Sequence, residues 1–279
     1  MNLKRLDTPE GRYYVYVLKP GKTYADGGFM LLPSVTTILS LKESKKLKKL
    51  EAEMGKEALE QIGQKAAMRG TAMHCFLENY FVCLKKGGAS DNCLLYTQKK
   101  SPDDLKKIEI QLESISAGRD LFYNYIHEGY LTRIKKVLLT EGFTWSIKHS
   151  FAGTADFVFL NQEGKIVITD FKSASGIKDD ETIYRYQLQL AAYTIAFEEI
   201  YRKKVHHAEL WISHPHGIQE IGLSGSEMED RKLEFIKLAQ EYQKKFKPQE
   251  IVEKYYSSKM THYGSEGTSD TGQQVPTDN

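Results

Sequence analysis

The stretch GTADFVFLNQEGKIVITDFKSAS, residues 153–175, constrains the fold more than any other part of the chain. Two apolar runs, 153–160 and 165–172, flank Asn161-Gln162-Glu163-Gly164. Those four residues favour a turn, and Gly164 is free to take positive φ. The pattern predicts a β-hairpin. Asp156 interrupts the first run, and Asp170 and Lys172 interrupt the second. A hairpin folded about its centre brings Asp156 opposite position 169, one residue from Asp170. Side chains alternate along a strand, so Asp170 and Lys172 share a face while Phe171 points the other way. Two carboxylates and an ammonium therefore meet at one spot in an apolar hairpin, where unpartnered charge is costly.

Two arrangements satisfy these residues. One is an Asp–Lys salt bridge in a half-exposed hairpin. The other is a divalent cation. Adjacent carboxylates raise each other's pKa, and a cation removes that penalty. Hard oxygen ligands with few soft ones suit Mg²⁺ or Mn²⁺. Lys172 then stands beside the site, where it can polarise a phosphate or position an attacking water.

Around the hairpin the pattern alternates between helix and strand. Residues 12–18 and FMLLP read as strands, followed by a helix capped by Ser34 or Thr36. Helices are expected over 44–61, 64–84 and from Pro102 to about Glu128, with a loop at 87–101. Strands are expected at 131–140, 143–150, 153–160 and 165–172, although a helix ending near Lys136 fits the first of these. A helix at 180–201, strands at 205–213 and 217–223, and a helix at 225–246 complete the order. This is a mixed α/β chain: residues 1–130 are a mainly helical N-terminal elaboration, and 131–256 are sheet and flanking helices of the same domain. From Ser257 to Asn279 almost nothing is apolar, which predicts a disordered tail.

At 279 residues and 41% apolar, the chain can build a real core. No apolar run approaches the ~20 residues of a membrane span. The N-terminus lacks a signal-peptide core, so a cytoplasmic location is expected, in a bacterium or a phage-infected host. Three cysteines, Cys75, Cys83 and Cys93, are an odd number, which favours reduced thiols and excludes a four-cysteine zinc or iron–sulfur site within the chain. The formal charge of +2 gives no global basic field. Positive charge is local, at Lys45–Lys49, Lys106-Lys107, Arg133–Lys136 and Arg202–Lys204. Each cluster reads first as a solvated face.

Several motifs, taken together, resemble the PD-(D/E)XK nuclease superfamily and its RecB-like exonucleases. RGTAMHCFLENYF at 69–81 is similar to their RGxxxH helix, AGTADFVF at 152–159 to their GxxD strand, and VITDFKSAS at 167–175 to their D-[FWY]-K-[TS] strand. QLQLAAY at 187–193 contains their QxxxY element as Gln189 and Tyr193. LPSVTTIL at 32–39 resembles the PSVT start of phage exonucleases and of the mitochondrial genome maintenance exonuclease. The motifs stand in the family's order. Cysteines after the QxxxY helix, which iron–sulfur relatives need, are missing, so the branch without an iron–sulfur cluster is the better match.

The resemblance implies a restriction-endonuclease-like core, a small mixed sheet flanked by helices. It implies an Mg²⁺- or Mn²⁺-dependent DNA exonuclease acting on a free end of single-stranded or duplex DNA in recombination, repair or phage DNA processing, with a recombination protein as a possible partner. Asp156, Asp170 and Lys172 would be catalytic. His74, Asp156, Asp170 and the backbone carbonyl of Phe171 would hold the metal, with Glu141 as a further ligand or an ordinary strand-end residue. Glu78, one turn beyond His74, could support that imidazole or remain exposed. Gln189 and Tyr193 would hold substrate or the catalytic lysine, Arg69, Ser34 and Thr36 would touch substrate, and Tyr184, Arg185 and Tyr186 could stack unpaired bases. A structure-specific endonuclease on the same fold, or a non-catalytic DNA-binding subunit, are the alternatives; the second should lack one of Asp156, Asp170 and Lys172, and all three are present.

Overall fold

A computed structural model describes residues 3–19, 22, 26–42, 45–85 and 105–255. The loop at 87–101, Pro102, Cys93, the side chains of Lys45–Lys49 and Lys106-Lys107, and the tail from Ser257 lie outside the described residues. The chain opens with three strands, β1 (Leu3–Thr8), β2 (Gly11–Val17) and β3 (Phe29–Pro33), paired as an antiparallel meander. The expected helical N-terminal part therefore begins with a sheet. β1 escapes sequence reading because LKRLDT has two apolar residues among charges, and only Leu3 and Leu6 are buried.

Ser34 caps the short helix α1 (Val35–Leu39), its hydroxyl accepting from the Thr37 amide. Helix α2 (Lys45–Met54) and helix α3 (Lys56–Lys85) meet at Gly55, whose φ of 84° breaks the helical path that the Lys/Glu-rich pattern extends to residue 61. Helix α4 (Leu105–His127) crosses α3 closely. A Cβ on Gly118 of α4 would lie 2.6 Å from Ala72 Cβ and 2.8 Å from the Arg69 carbonyl oxygen, so only glycine allows this approach.

The central sheet has the order β4 (Ile134–Ser146), β5 (Phe151–Asn161), β6 (Ile166–Ser173), β7 (His207–His214), β8 (Gly217–Leu223). All neighbours are antiparallel except β6 and β7, which are parallel and joined through helix α5 (Asp180–Tyr201). A parallel pair needs such a crossover. Helices α6 (Gly225–Lys245) and α7 (Pro248–Tyr255) complete the chain; α7 was not foreseen in the sequence. The mixed sheet flanked by helices fits the restriction-endonuclease-like fold that the motifs imply.

Two expected strands, 131–140 and 143–150, form the single strand β4, preceded by a 3₁₀ turn at Tyr130–Arg133. The Glu141-Gly142 pair that reads as a break is passed with a left-handed backbone at Glu141, φ 45°, without ending the ladder. The strand stops at Ser146 instead, where Glu199 of α5 accepts from the amides of Ile147 and Lys148.

The core has two main parts. α5 and α6 pack with Val158, Ile166, Ile168, Leu210 and Ile212. α3 and α4 pack with an aromatic cluster that includes Phe81, Phe122, Tyr125, Phe157, Phe171 and Trp211. Phe81 stacks on Phe157 with ring centroids 3.9 Å apart. Burial of each large apolar side chain contributes about 1.5–3 kcal/mol. Phe171 is thereby anchored, and its strand neighbours Asp170 and Lys172 are held to the opposite side. Cys75 is a free thiol, whereas Cys83 is disulfide-bonded, which corrects the expectation of reduced thiols throughout. No described helix is long and apolar enough to cross a membrane.

Candidate active site

The hairpin between β5 and β6 folds as its turn residues dictate. Asn161 Oδ1 accepts from the amides of Glu163 and Lys165, and Gly164 takes φ 78°. Phe157 pairs with Thr169, so the next position on each strand is Asp156 and Asp170. The one-residue offset left open by the sequence resolves in favour of direct opposition. The ladder is replaced there by a side chain: the Phe171 amide donates to Asp156 Oδ2 at 2.9 Å.

α3 delivers His74 to the same place. Its Nε2 lies 3.0 Å from the Phe171 carbonyl oxygen, and its Nδ1 lies 3.1 Å from Glu141 Oε1 and 3.9 Å from Asp156 Oδ2. Ligand atoms of His74, Glu141 and Asp156 all lie within 4.8 Å of one another. Glu78 is exposed on α3, and the carboxylate that meets the imidazole is Glu141.

Asp170 stands next to this cluster and is fully buried. The Lys172 ammonium touches Oδ2, yet neither Asp170 oxygen has a well-aligned hydrogen bond. Burial pushes the Asp170 carboxyl up to about 6, and the charge of Asp156 adds to that rise while Lys172 opposes it. Burial likewise raises Asp156, against the pull of His74 and Lys172. For His74, burial alone would favour the neutral ring; Asp156 and Glu141 outweigh it and raise the pKa to about 9. Lys172 is also raised, because Asp170 and Asp156 outweigh the cost of burying its charge.

The arrangement fits a divalent cation on its own chemistry. Two carboxylates and an imidazole converge with the Phe171 carbonyl that faces His74, and the buried Asp170 beside them is met by the Lys172 ammonium without a well-aligned hydrogen bond. A hard cation suits the group that His74, Glu141 and Asp156 form. Glu141 adds a second sign: a non-glycine residue with φ 45° in a strand costs about 1–2 kcal/mol. That conformation is found where its carboxylate reaches His74.

α5 borders the carboxylates. Gln189 Nε2 donates to the Tyr193 hydroxyl at 2.9 Å. The Tyr193 ring lies so close to Gly153 that a Cβ there would sit 2.7 Å from Cε1. The glycine of the GxxD strand is thus explained by the tyrosine of QxxxY. Lys172 Nζ lies 5.3 Å from the centre of the Tyr186 ring. Arg185, Tyr186, Gln189 and Thr36 line one cleft between α1 and α5. Arg69 lies on α3 next to Gly70, where an added Cβ would stand 3.0 Å from Ser173 Oγ at the end of β6.

Other candidate residues are engaged within the fold. Ser34 is buried, and its hydroxyl is engaged by Thr36, Thr37 and the Thr37 amide, so it caps α1 and is not placed to touch substrate. Tyr184 is held by Lys42, Glu234 and Arg231. In the Arg133–Lys136 cluster, Arg133 is paired with Glu220 and lies over Tyr130. Gly118 and Gly153 are positions that sequence reasoning did not single out by themselves.

The family model for the PD-(D/E)XK nuclease superfamily matches residues 38–261. The chain belongs to that superfamily and is a nuclease. Its members use divalent metal ions, and the cluster above supplies a site of the right chemistry. No curated protein matches the chain significantly. Among solved structures, the chain is similar to SSO0001 at 19% identity and a TM-score of 0.33, over 51% of this chain and 67% of that one. It is also similar to a protein described as a candidate exonuclease from Eubacterium rectale, at 11% identity and a TM-score of 0.36, over 62% and 68%.

Proposed function

We propose that the protein is an Mg²⁺- or Mn²⁺-dependent DNA exonuclease of the RecB-like branch, formed by one domain over residues 1–256, and that it works on DNA ends in recombination, repair or phage DNA processing. The observation that carries the catalytic part is the convergence of His74, Glu141, Asp156 and the Phe171 carbonyl beside the buried Asp170–Lys172 pair. The order of the RGxxxH, GxxD, DxK and QxxxY motifs supports the branch and the exonuclease mode.

Asp156, Asp170, His74 and the Phe171 carbonyl would hold the metal, with Glu141 either binding it directly or orienting His74. When bound, a divalent ion held by these residues would supply Lewis acidity at the scissile phosphate and favour deprotonation of a water. Lys172 stays protonated between Asp170 and the substrate, where it orients that water and opposes the negative charge that develops on the phosphate. His74 must release its proton to act as a ligand. Gln189 fixes the Tyr193 hydroxyl, which keeps the wall of the site in place behind Gly153. Arg69, Arg185, Tyr186 and Thr36 would meet the DNA.

Digestion of end-labelled linear single strands, linear duplexes and covalently closed circles tests the mode. Loss of linear substrates with circles left intact is expected. Cleavage of circles at a similar rate would support a structure-specific endonuclease.

A further inference from the structure

The loop that joins β6 to α5, residues 174–179, leads from the strand of Asp170 and Lys172 to the helix of Gln189 and Tyr193. It is fixed at both ends. Ala174 is buried, and its amide donates to the Ser213 carbonyl oxygen at 2.8 Å. Gln219 of β8 clamps Lys178 with one side chain. Its Oε1 accepts from the Lys178 amide at 2.8 Å, and its Nε2 donates to the Lys178 carbonyl oxygen at 3.2 Å. Asp179 then caps α5, accepting from the Thr182 amide. Ser175, Gly176 and Ile177 alone stand between these anchors. Ile177 is 77% exposed, more than any other large apolar side chain among the described residues. An isolated exposed apolar side chain is common on protein surfaces. This one is distinguished by being held firmly, five residues after Lys172. At no more than about 3.6 Å per residue it lies within about 18 Å of Lys172. That is roughly five nucleotide steps of a B-form strand, at about 3.4 Å each. The exposed carboxylates of Asp179, Asp180 and Glu181 follow at once and disfavour a phosphate at this point. A nucleobase carries no charge and has a broad apolar face, and isoleucine is among the side chains that insert against bases.

We infer that Ile177 packs against an unpaired base of the DNA strand, and that Gln219 is a positioning residue that holds it there. The inference rests on the nuclease reading. Ile177 replaces part of the stacking that a base loses when it leaves its neighbours. The contact fixes the register of the strand relative to Lys172, so it acts on binding and leaves the chemical step to the residues of the site. Gln219 acts only through the loop, by keeping Lys178 and hence Ile177 in place.

The test measures binding by fluorescence anisotropy in EDTA, on a labelled duplex with one 5′ and one 3′ single-stranded tail. Wild type, Ile177→Ser, Ile177→Leu and Gln219→Ala are compared on intact DNA and on a series with one abasic site moved along each tail. Ile177→Ser should weaken binding of intact DNA about fivefold or more. Ile177→Leu, which keeps the apolar surface, should bind as wild type does. Gln219→Ala should lose affinity as Ile177→Ser does, because the loop is no longer clamped. At one abasic position the difference between wild type and Ile177→Ser should vanish, since the base that Ile177 meets is gone. A merely structural residue would show the same loss at every position. Ile177→Ser should melt with wild type, because the side chain it replaces is exposed. Wild-type affinity in Ile177→Ser, or a loss that is equal at every abasic position, overturns the inference and leaves the nuclease reading standing. If wild type itself binds no DNA, the nuclease reading fails first and this inference with it.

Discussion

Glu141 carries backbone strain and contacts His74, one of the candidate metal ligands. Glu141→Gly relieves a positive φ, so stability should hold or rise by up to about 1 kcal/mol. It also removes the carboxylate on His74, and metal affinity should fall by about 10–100-fold. Thermal unfolding beside a Mn²⁺ titration of nuclease activity reads both. Loss of stability with unchanged metal dependence would make Glu141 an ordinary strand residue. The charges give a second prediction. The folded pKa of His74 is raised from 6.5 to about 9, so its stabilising protonation is fully present below pH 6.5 and is lost as pH rises to 9. Asp170 is raised from 3.8 to about 6, so its contribution is likewise present below pH 3.8 and lost as pH rises through 6. In EDTA the melting temperature should therefore fall between pH 6.5 and 9. Added Mn²⁺ should stabilise more at the upper end if His74 is a ligand, because an imidazole binds metal only when neutral. His74→Ala should flatten the slope in EDTA; an unchanged slope would assign the pH dependence elsewhere.

α3 brings His74 to the sheet, and its seat depends on a glycine far from the chemistry. Gly118→Ala would drive a methyl group into Ala72 and the backbone at Arg69 and Met73. α3 must then shift, at a cost of about 1–3 kcal/mol. His74 moves with it, so metal affinity should drop together with stability. Denaturant unfolding and Mn²⁺ calorimetry check this pair of effects; a stable variant with normal metal binding would show that α3 and α4 adjust without moving His74. The same scale shows what the sequence discloses. The hairpin, α5 and β8 were legible because their turn residues, caps and apolar periods agree. β1 and α7 were not, because their few apolar residues lie among charges. β4 is not legible as one strand because a Glu-Gly pair is a turn signal, whereas the ladder continues past a left-handed Glu141 whose carboxylate reaches His74.

For the whole molecule, the site is assembled from elements distant in sequence. His74 comes from α3, Glu141 from β4, Asp156 from β5, Asp170 and Lys172 from β6, and Gln189 and Tyr193 from α5. The proximity of Asp156 and Asp170 could be derived from one hairpin. The arrival of His74 and Glu141 could not, since no local pattern encodes a contact across 67 residues. It came instead from motif resemblance, which also supplied Ser34 as a substrate contact where the fold uses it as a helix cap. Sheet and helices anchor Phe171 on one side, which directs its neighbours Asp170 and Lys172 to the other. The central claim is that the buried acids exist for a metal that cuts DNA. Asp170→Asn tests it most directly, by digestion of labelled linear DNA alongside calorimetric titration with Mn²⁺. The substitution is nearly isosteric and removes a buried like charge beside Asp156. The account predicts a protein at least as stable as wild type that still binds DNA, binds Mn²⁺ weakly and does not cleave. Cleavage at the wild-type rate would contradict it and leave Asp156 and Asp170 as a structural pair.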